Sequence, residues 1–258
     1  VTFAYLHQTG SDTPDYGIPW YFDRPAPVDR SNYYGFENGN FFRSYADIGT
    51  IRLEHYANSN FSLRNQLRYA DYRRAIQVTE ARLPASVTPS TPLDSITINR
   101  NQIDARSSET FLNDQFDATL RFRTAAVQHT MITGVEGARE TSSPVRATWS
   151  SVPGTSLLNP DPSQPFTGAA VVTSRVKTLA VSGGAYALDT VKLGRRLEVS
   201  AGLRWDRFDA DYRQTVAPVA AFSRVDSMTS WRAAMVYKPA DSGSVYAAAS
   251  TSFNPSAE

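Results

Sequence analysis

The sequence predicts an all-β protein, an antiparallel up-and-down meander of about nine strands. Three observations support this fold class. Apolar and polar residues alternate with a period of two in several segments, which is typical of strands with two unlike faces. Helical periodicity is almost absent from the 258 residues. Short connections alternate with long ones, as in a chain that passes up and down through adjacent hairpins.

The clearest alternation lies in RRLEVSAGLRWDRFDADYR, residues 195–213, where every second residue from Leu197 to Trp205 is apolar. Other segments alternate in the same way, although residues 44–56 do so poorly. The predicted strands are, in chain order, 1–8, 44–57, 61–79, 109–123, 128–142, 175–189, 196–213, 224–237 and 244–253.

The connections between these strands fall into two classes. The short ones cover 58–60, 124–127, 190–195 and 238–243, and the long ones cover 9–43, 80–108, 143–174 and 214–223. The long connections carry most of the proline, which cannot donate a hydrogen bond to a central ladder. Tight turns at one end and long loops at the other are typical of transmembrane barrels of the outer-membrane type.

Alternation alone leaves two interpretations of the apolar face open. A soluble barrel of the lipocalin type turns this face inward, whereas a membrane barrel turns it toward lipid. Two features favour the membrane barrel. Charges lie deep in the strands, at Arg64, Arg68, Glu198 and Arg204, where a wide polar lumen suits them. Aromatic residues are expected near strand ends on the apolar face, at Tyr69, Trp205, Trp231 and Tyr237, where interfacial girdles form.

Composition excludes several function classes. A formal net charge of +1 gives no indication of a nucleic-acid partner, and the absence of cysteine excludes a disulfide framework and cysteine-ligated metals. There is no apolar run of 18 residues that would form a transmembrane helix. The three histidines, His7, His55 and His129, lie on separate strands, and none of the common catalytic motifs occurs. We therefore expect no enzymatic activity.

Several segments together resemble the TonB-dependent siderophore receptors of the bacterial outer membrane. The family's barrel pattern is an aromatic residue, an Asp, a short turn and then Gly-x-Arg-aromatic-Asp-x-Phe-Asp. Its counterparts in AYALDTVKLGRRLEVSAGLRWDRFDADY (185–212) are Tyr186, Asp189, Gly202, Arg204, Trp205, Asp206, Phe208 and Asp209. Trp205 stands where Tyr is more usual. The segments at 111–140 and 235–256 are also similar, and Tyr-Gly-Ile-Pro-Trp followed by Tyr-Tyr-Gly, within 13–35, is most like the catecholate-type receptors.

This resemblance implies that residues 1–258 are part of a 22-stranded barrel that is filled, in the complete protein, by an amino-terminal plug domain. The chain supplies about nine strands, and we expect the plug, the TonB box and the closing carboxyl-terminal strands to lie outside it. The nine strands should therefore form an open sheet with two unpaired edges. The lumen charges Arg64, Arg68, Arg121, Arg123, Glu198, Arg204 and Asp206 are expected to pair with the plug or with each other.

The implied function is capture of a ferric siderophore by extracellular loops and its import with energy delivered by TonB. The implied partners are the siderophore, the TonB complex and outer-membrane lipid. The siderophore chelates the iron, so no cofactor and no protein metal ligand is required. Three alternatives stay open: a receptor for another nutrient such as cobalamin or an oligosaccharide, a passive porin, and a soluble β-barrel or sandwich with a binding site in its core.

Aromatic rings for stacking and arginines for charge and hydrogen bonds suit a large, partly aromatic, anionic ligand. The loop at 9–43 is the richest source of both. The candidate ligand-binding residues are Tyr16, Trp20, Tyr21, Phe22, Arg24, Arg30, Tyr33, Tyr34, Phe36 and Arg43, with Trp149 and Phe166 as weaker candidates from 143–174.

Overall fold

A computed structural model describes residues 1–254, which contain thirteen strands and one short 3₁₀ turn at Leu93–Ser95. The strands are β1 (Thr2–Asp12), β2 (Trp20–Tyr21), β3 (Arg24–Pro25), β4 (Phe41–Asn58), β5 (Phe61–Arg82), β6 (Thr97–Thr124), β7 (Val127–Ser142), β8 (Val145–Trp149), β9 (Thr155–Ser156), β10 (Ala170–Leu193), β11 (Leu197–Gln214), β12 (Ala220–Ala240) and β13 (Gly243–Ser250).

Nine long strands form one antiparallel path in the order β1-β4-β5-β6-β7-β10-β11-β12-β13. Each long strand pairs with its sequence neighbour among the nine, so the predicted meander is confirmed. The short strands β8 and β9 add to the long-loop end of β6, and β2 and β3 form a separate two-stranded ribbon. Because β1 and β13 do not pair with each other, the sheet is open, as expected.

The long hairpins extend further at the loop end than the sequence predicted. The predicted loop at 80–108 is wrong over most of its length, because β6 begins at Thr97 and pairs with β5 as far as Arg82. Residues 97–108 (TINRNQIDARSS) carry few apolar side chains on either face, so they lack the alternation that reveals a strand. Pairing with β5, β8 and β9 forms this part of the strand.

The register places the apolar residues of successive strands on one face, which we call the apolar face. Trp205 is opposite Ala185, which is opposite Val135, which in turn is opposite Phe116. On β11, Leu203 is 64% exposed and Trp205 is 47% exposed. These side chains do not pack into a closed interior, so a soluble barrel with its apolar face inward is wrong for this sheet.

The opposite face, which we call the polar face, carries a network of paired charges. The Arg204 guanidinium donates to Asp206 at 2.6 Å and to Glu136, and it lies 5.5 Å from the centre of the Tyr186 ring. The Tyr186 hydroxyl donates to Asp117, whose other carboxylate oxygen lies 3.4 Å from Arg64. Several of the predicted lumen charges therefore pair with other residues of this sheet.

Gly134 is necessary for this network. A side chain at Gly134 would bring its Cβ to 2.6 Å from the Tyr186 ring and to 2.7 Å from the Phe116 carbonyl oxygen. The glycine therefore leaves the space in which Tyr186 lies across β7 and reaches Asp117 on β6.

The main hydrophobic cluster lies among the long loops and not between the strands. Its members are Tyr21, Ala26, Tyr34, Ala81, Ile96, Ile98 and Leu157. The Tyr34 hydroxyl donates to the Leu157 carbonyl at 2.6 Å, and the Leu157 amide donates to the Ile96 carbonyl at 3.0 Å. Two long loops are thus joined to the end of the β5–β6 hairpin. Among residues 1–254, no helix is long and apolar enough to cross a membrane.

Candidate ligand-binding trough

Five aromatic rings from four strands gather on the polar face near the long-loop end. Tyr72, Phe111 and Phe208 line a cavity of about 750 Å³ together with Tyr212 and Phe222. Drug-sized ligands occupy pockets of roughly 300–1,000 Å³. We call this cavity the aromatic trough.

The sheet register explains the shape of the trough. One row of cross-strand partners runs Tyr72, Glu109, Ser142, Thr178, Tyr212 and Phe222. The adjacent row runs Ala70, Phe111, Glu140, Ala180, Ala210 and Arg224. Rings therefore stand at both sides of the trough, and the small side chains of Ser142, Thr178 and Ala180 form its floor.

The geometry of the rings leaves their surfaces available for stacking. The centres of the Tyr212 and Phe222 rings are 5.8 Å apart, and the Tyr212 hydroxyl donates to Gln214 at 3.0 Å. Both rings are on adjacent strands of one hairpin, so strand pairing fixes their separation. Rigid aromatic walls above a floor of small residues suit a flat aromatic ligand.

Charges surround the trough, and most are already paired. Arg74 donates to Glu109 at 2.7 Å, and Arg224 donates to Asp226 at 2.9 Å. Glu140 is exposed on the floor and makes no hydrogen bond or ion pair within residues 1–254. A ligand in the trough would thus meet two held guanidinium groups and one carboxylate that is free to accept hydrogen bonds.

Sequence reasoning missed the five trough aromatics. The sequence does contain an indication of them. Phe208 and Tyr212 are aromatic residues at polar-face positions of β11, whereas the apolar residues from Leu197 to Trp205 lie on the opposite face. Aromatic rings that break the alternation at the long-loop end of a strand are therefore the pattern to look for.

Three of the predicted loop residues are buried in the loops. Tyr21, Tyr34 and Phe36 are 8%, 1% and 3% exposed. The Phe36 ring contacts the Phe166 ring at 4.7 Å, and Phe166 contacts the edge of Trp149 at 5.5 Å. These rings pack the loops against β6 and β8, so Tyr21, Tyr34 and Phe36 offer no surface to a ligand.

The other predicted loop residues are separated from one another. Trp20 and Phe22 are 62% and 48% exposed at the β2–β3 ribbon, where Phe22 adopts a positive φ of 56°. Arg24 and Arg30 are exposed, Tyr33 is half-buried, and the exposed Arg43 lies over the Phe41 ring at 4.8 Å. The structure does not gather them into one pocket, and their role in binding stays a prediction.

Tyr16 differs from the rest of its loop because it reaches the polar face. Its hydroxyl donates to Glu80 at 3.1 Å, and Glu80 also accepts from Arg82 at 2.5 Å and from Asn101 at 3.2 Å. The hydrogen bond from Arg82 lowers the pKa of the Glu80 carboxyl, and the Asn101 and Tyr16 hydrogen bonds act in the same direction against its desolvation. Tyr16 thus joins the start of the loop to the end of β5.

We expect the Tyr16–Glu80 contact to open only in acid. A depressed pKa means that the stabilisation is present above the ordinary glutamate pKa and is lost as the pH falls through the lower, folded-state value. A spin label at Thr13→Cys in the complete receptor should gain mobility on the acid side of the ordinary glutamate range. In Tyr16→Phe and Glu80→Ala the label should be mobile at neutral pH as well. A label that is equally mobile in the parent at neutral pH contradicts the contact.

One apolar face, one charged face and long loops at a single end define the wall of a transmembrane β-barrel. The family model described as TonB dependent receptor-like, beta-barrel, matches residues 1–258. The chain belongs to this family of outer-membrane receptors.

Two similar proteins are named as siderophore receptors. The catecholate siderophore receptor Fiu of Escherichia coli K12 is 26% identical over 94% of this chain and 37% of its own length. The probable TonB-dependent siderophore receptor PiuA of Acinetobacter baumannii is 25% identical over 99% of this chain and 37% of its own length. The chain thus spans a little over a third of these relatives.

The fold is also similar to a solved receptor. The open-form crystal structure of the ferric-catecholate import receptor Fiu from E. coli K12 superposes with a TM-score of 0.86 and 25% sequence identity. The match covers 98% of this chain and 44% of that chain.

The apolar face marks the position of the membrane on the strands. On β11, the apolar residues run from Leu197 to Trp205, and the next residue on the same face is Arg207. The prediction that Trp205 and Trp231 lie near strand ends is wrong, because β11 and β12 continue nine and eleven residues beyond them toward the loops. The girdle therefore lies within the strands, which project beyond the membrane.

A charged side chain among the apolar-face residues between Leu197 and Trp205 should destabilise the receptor in a membrane. Ala201→Arg in the complete receptor is expected to lower the free energy of unfolding by about 2–4 kcal/mol in lipid vesicles, since Ala201 lies midway between Leu197 and Trp205 and Arg near the bilayer midplane costs that much. Ser227→Arg, on the same face but beyond the girdle, should cost less than about 1 kcal/mol. Denaturant titration measures both, and equal costs would contradict this position of the membrane.

Proposed function

We propose that the complete protein is an outer-membrane receptor that binds a ferric siderophore and imports it with energy delivered by TonB. The single observation that supports this most is the aromatic trough, which faces the barrel interior on the side of the long loops. The names of the relatives Fiu and PiuA agree with it.

The trough suits a catecholate siderophore because catechol rings are flat and can stack on Tyr212, Phe222 and the rings opposite. Arg74 and Arg224 would lie beside the anionic oxygens of the iron complex. Iron would arrive already chelated, so the receptor would need neither its own metal ligands nor a catalytic group. In residues 1–254, no group of three or more His, Cys, Asp or Glu is arranged to hold a metal ion.

The remainder of the receptor would complete this site. We propose that a plug domain outside residues 1–258 fills the barrel below the trough and carries the contact with TonB. The Arg204 network would then lie against that plug. The exposed loop residues Trp20, Phe22, Arg24 and Arg30 would meet the ligand before it enters the trough.

Uptake measurements test the proposal. The complete receptor, expressed in a strain that lacks other siderophore receptors, should support TonB-dependent uptake of iron-55 supplied as ferric catecholate complexes. Uptake that persists without TonB would indicate a passive porin. Absence of binding and uptake for every ferric siderophore, with uptake of cobalamin or an oligosaccharide, would indicate a receptor for another nutrient.

A further inference from the structure

Glu140 is an unpaired carboxylate on the floor of the aromatic trough. It lies on β7, opposite Phe111 on β6 and Ala180 on β10. Glu140 is exposed, and no hydrogen bond or ion pair reaches its side chain from residues 1–254. An exposed carboxylate is hydrated, and a ligand that covers it displaces the hydrating water. A charge that loses its water without gaining a partner is costly, so the ligand must offer Glu140 a donor or a cation.

Three arginines of the polar face lie around the trough, and all are engaged elsewhere. Arg74 and Arg224 each pair with another carboxylate, as described above. Arg68 lies two strands from Glu140, and its Nε donates to the Thr50 hydroxyl at 3.3 Å, on the side of β5 away from Glu140. None of the three contacts Glu140, so the carboxylate is available to a cation that enters the trough.

Phe111 makes Glu140 a better partner for a cation than an isolated carboxylate. The Cβ atoms of directly opposite residues are about 5 Å apart, so the ring and the carboxylate stand side by side. An aromatic ring attracts a cation through its quadrupole, and a carboxylate attracts it by charge and accepts its N–H groups. Ala180, on the other side, is small and leaves room for the carbon chain that carries the cation. The two groups together suit an organic ammonium.

The row of cross-strand partners that contains Glu140 leads to Arg224. Ala180 and Ala210 lie between them. Neighbouring strands are about 4.8 Å apart, so the backbones at Glu140 and Arg224 are separated by about 14 Å. The row thus has a carboxylate at one end, a guanidinium at the other and two small side chains between. A ligand along this row would place anionic oxygens at Arg224 and a positive group at Glu140.

We propose that the aromatic trough selects catecholate siderophores that carry a protonated amine, and that Glu140 and Phe111 bind this ammonium group. The inference rests on the proposed siderophore function and narrows its substrate class. The ammonium donates to the Glu140 carboxylate beside the Phe111 ring, while the iron-bound catechol oxygens face Arg224. Catecholates whose arms are all neutral or acidic leave the Glu140 charge uncompensated and bind more weakly.

Two ferric probes that differ by one charge per catechol arm test this preference. They are the ferric complexes of 2,3-dihydroxybenzoyl-lysinamide, which ends in an ammonium group, and of its Nε-acetyl derivative, which ends in a neutral amide. The complete receptor should bind the ammonium probe about tenfold more tightly, since an exposed ion pair and a cation–π contact together contribute about that much. Calorimetric titration gives both dissociation constants, and the preference should fall as the salt concentration rises.

Substitutions at the floor of the trough test the contact itself. Glu140→Gln should weaken binding of the ammonium probe about tenfold and leave the acetylated probe bound at least as tightly as in the parent. Glu140→Lys should reverse the preference, because it places like charges together. Phe111→Leu keeps an apolar side chain but removes the ring, so it should lower the ratio of the two dissociation constants about threefold.

Glu54→Gln is the matched control. Glu54 is also an exposed glutamate of the polar face that makes no side-chain hydrogen bond or ion pair with residues 1–254, but it lies on β4 toward the short turns. It is about 20 Å from Glu140 along the strands, and exposed charges that far apart are screened at physiological ionic strength. Its substitution should leave the ratio of the two constants within about twofold of the parent value. The gel mobility of the unheated barrel should show that all variants are folded.

The outcomes separate this inference from the proposed function. Equal binding of the two probes by the parent, or an equal loss for both probes in Glu140→Gln, overturns the inference and leaves the siderophore function standing. A preference that Glu54→Gln reduces as much as Glu140→Gln also overturns it. If the parent binds neither probe, the inference fails; if it also takes up no ferric siderophore, the proposed function fails with it.

Discussion

Replacing Tyr212 and Phe222 together by alanine should weaken binding of the ferric siderophore to the complete receptor by about a hundredfold or more. Buried aromatic anchors at binding sites commonly contribute about 2 kcal/mol or more each. The two rings form one wall of the aromatic trough, 5.8 Å apart. Titration of the ligand against intrinsic fluorescence or by calorimetry gives the dissociation constant.

Tyr45→Ala is the matched control for this experiment. Tyr45 on β4 is the cross-strand partner of Arg73 on β5. It lies on the apolar face, opposite the face that carries the trough, and is 45% exposed. Loss of its ring should leave the dissociation constant within about twofold, because most exposed side chains contribute little. If Trp20→Ala/Phe22→Ala abolishes binding and Tyr212→Ala/Phe222→Ala does not, the ligand binds to the loops and the trough has another role.

Arg100→Ala should loosen the packing of the long loops against β6. The Arg100 side chain is buried, and it donates to the carbonyl oxygens of Pro153 at 2.8 Å and Asp161 at 3.1 Å and to the Gln164 side chain. Its guanidinium lies 4.0 Å from the centre of the Phe36 ring. One cation thus links two long loops to β6.

Arg100→Ala removes the buried side chain together with its hydrogen bonds to both loops, so we expect the free energy of local opening to fall by about 3 kcal/mol. Amide hydrogen exchange in 150–166 and 18–40 should become about a hundredfold faster. Arg106→Ala is the control, since Arg106 lies on the same strand and face, but its side chain is 67% exposed and, within residues 1–254, forms its one ion pair with Asp104. Equal exchange in the two variants would mean that Arg100 does not hold the loops.

The sequence predicted the nine long strands and their order because alternation and turn length act locally. Leu197 to Trp205 show the alternation within a single strand, and the short turns make each strand the partner of the next. The extension of β6 back to Thr97 was not predictable in this way. Its side chains are mostly polar on both faces, and pairing with β5, β8 and β9 makes it a strand.

The candidate site was harder to predict than the fold. The loop at 9–43 is rich in aromatic residues, but Tyr21, Tyr34 and Phe36 are buried in the packing of the loops and the exposed ones are not gathered into one pocket. The trough rings come from four different strands, and no spacing along the chain connects Tyr72 with Phe222. Their proximity depends on the register of five successive ladders, which the sequence does not specify residue by residue.

From β5 to β12, the five successive ladders of the nine-stranded path continue through residues 61–237 without a register shift. A sheet of this kind can slide or open only by breaking many hydrogen bonds at once, so its strands move together as a stiff plate. If the complete receptor takes up a ligand as proposed, we expect the accompanying motion in segments outside these ladders, above all 13–40 and 150–168. Under the proposed function, the speed of capture would depend on these loops and the geometry of recognition on the ladders, so that substitutions could alter one without disturbing the other.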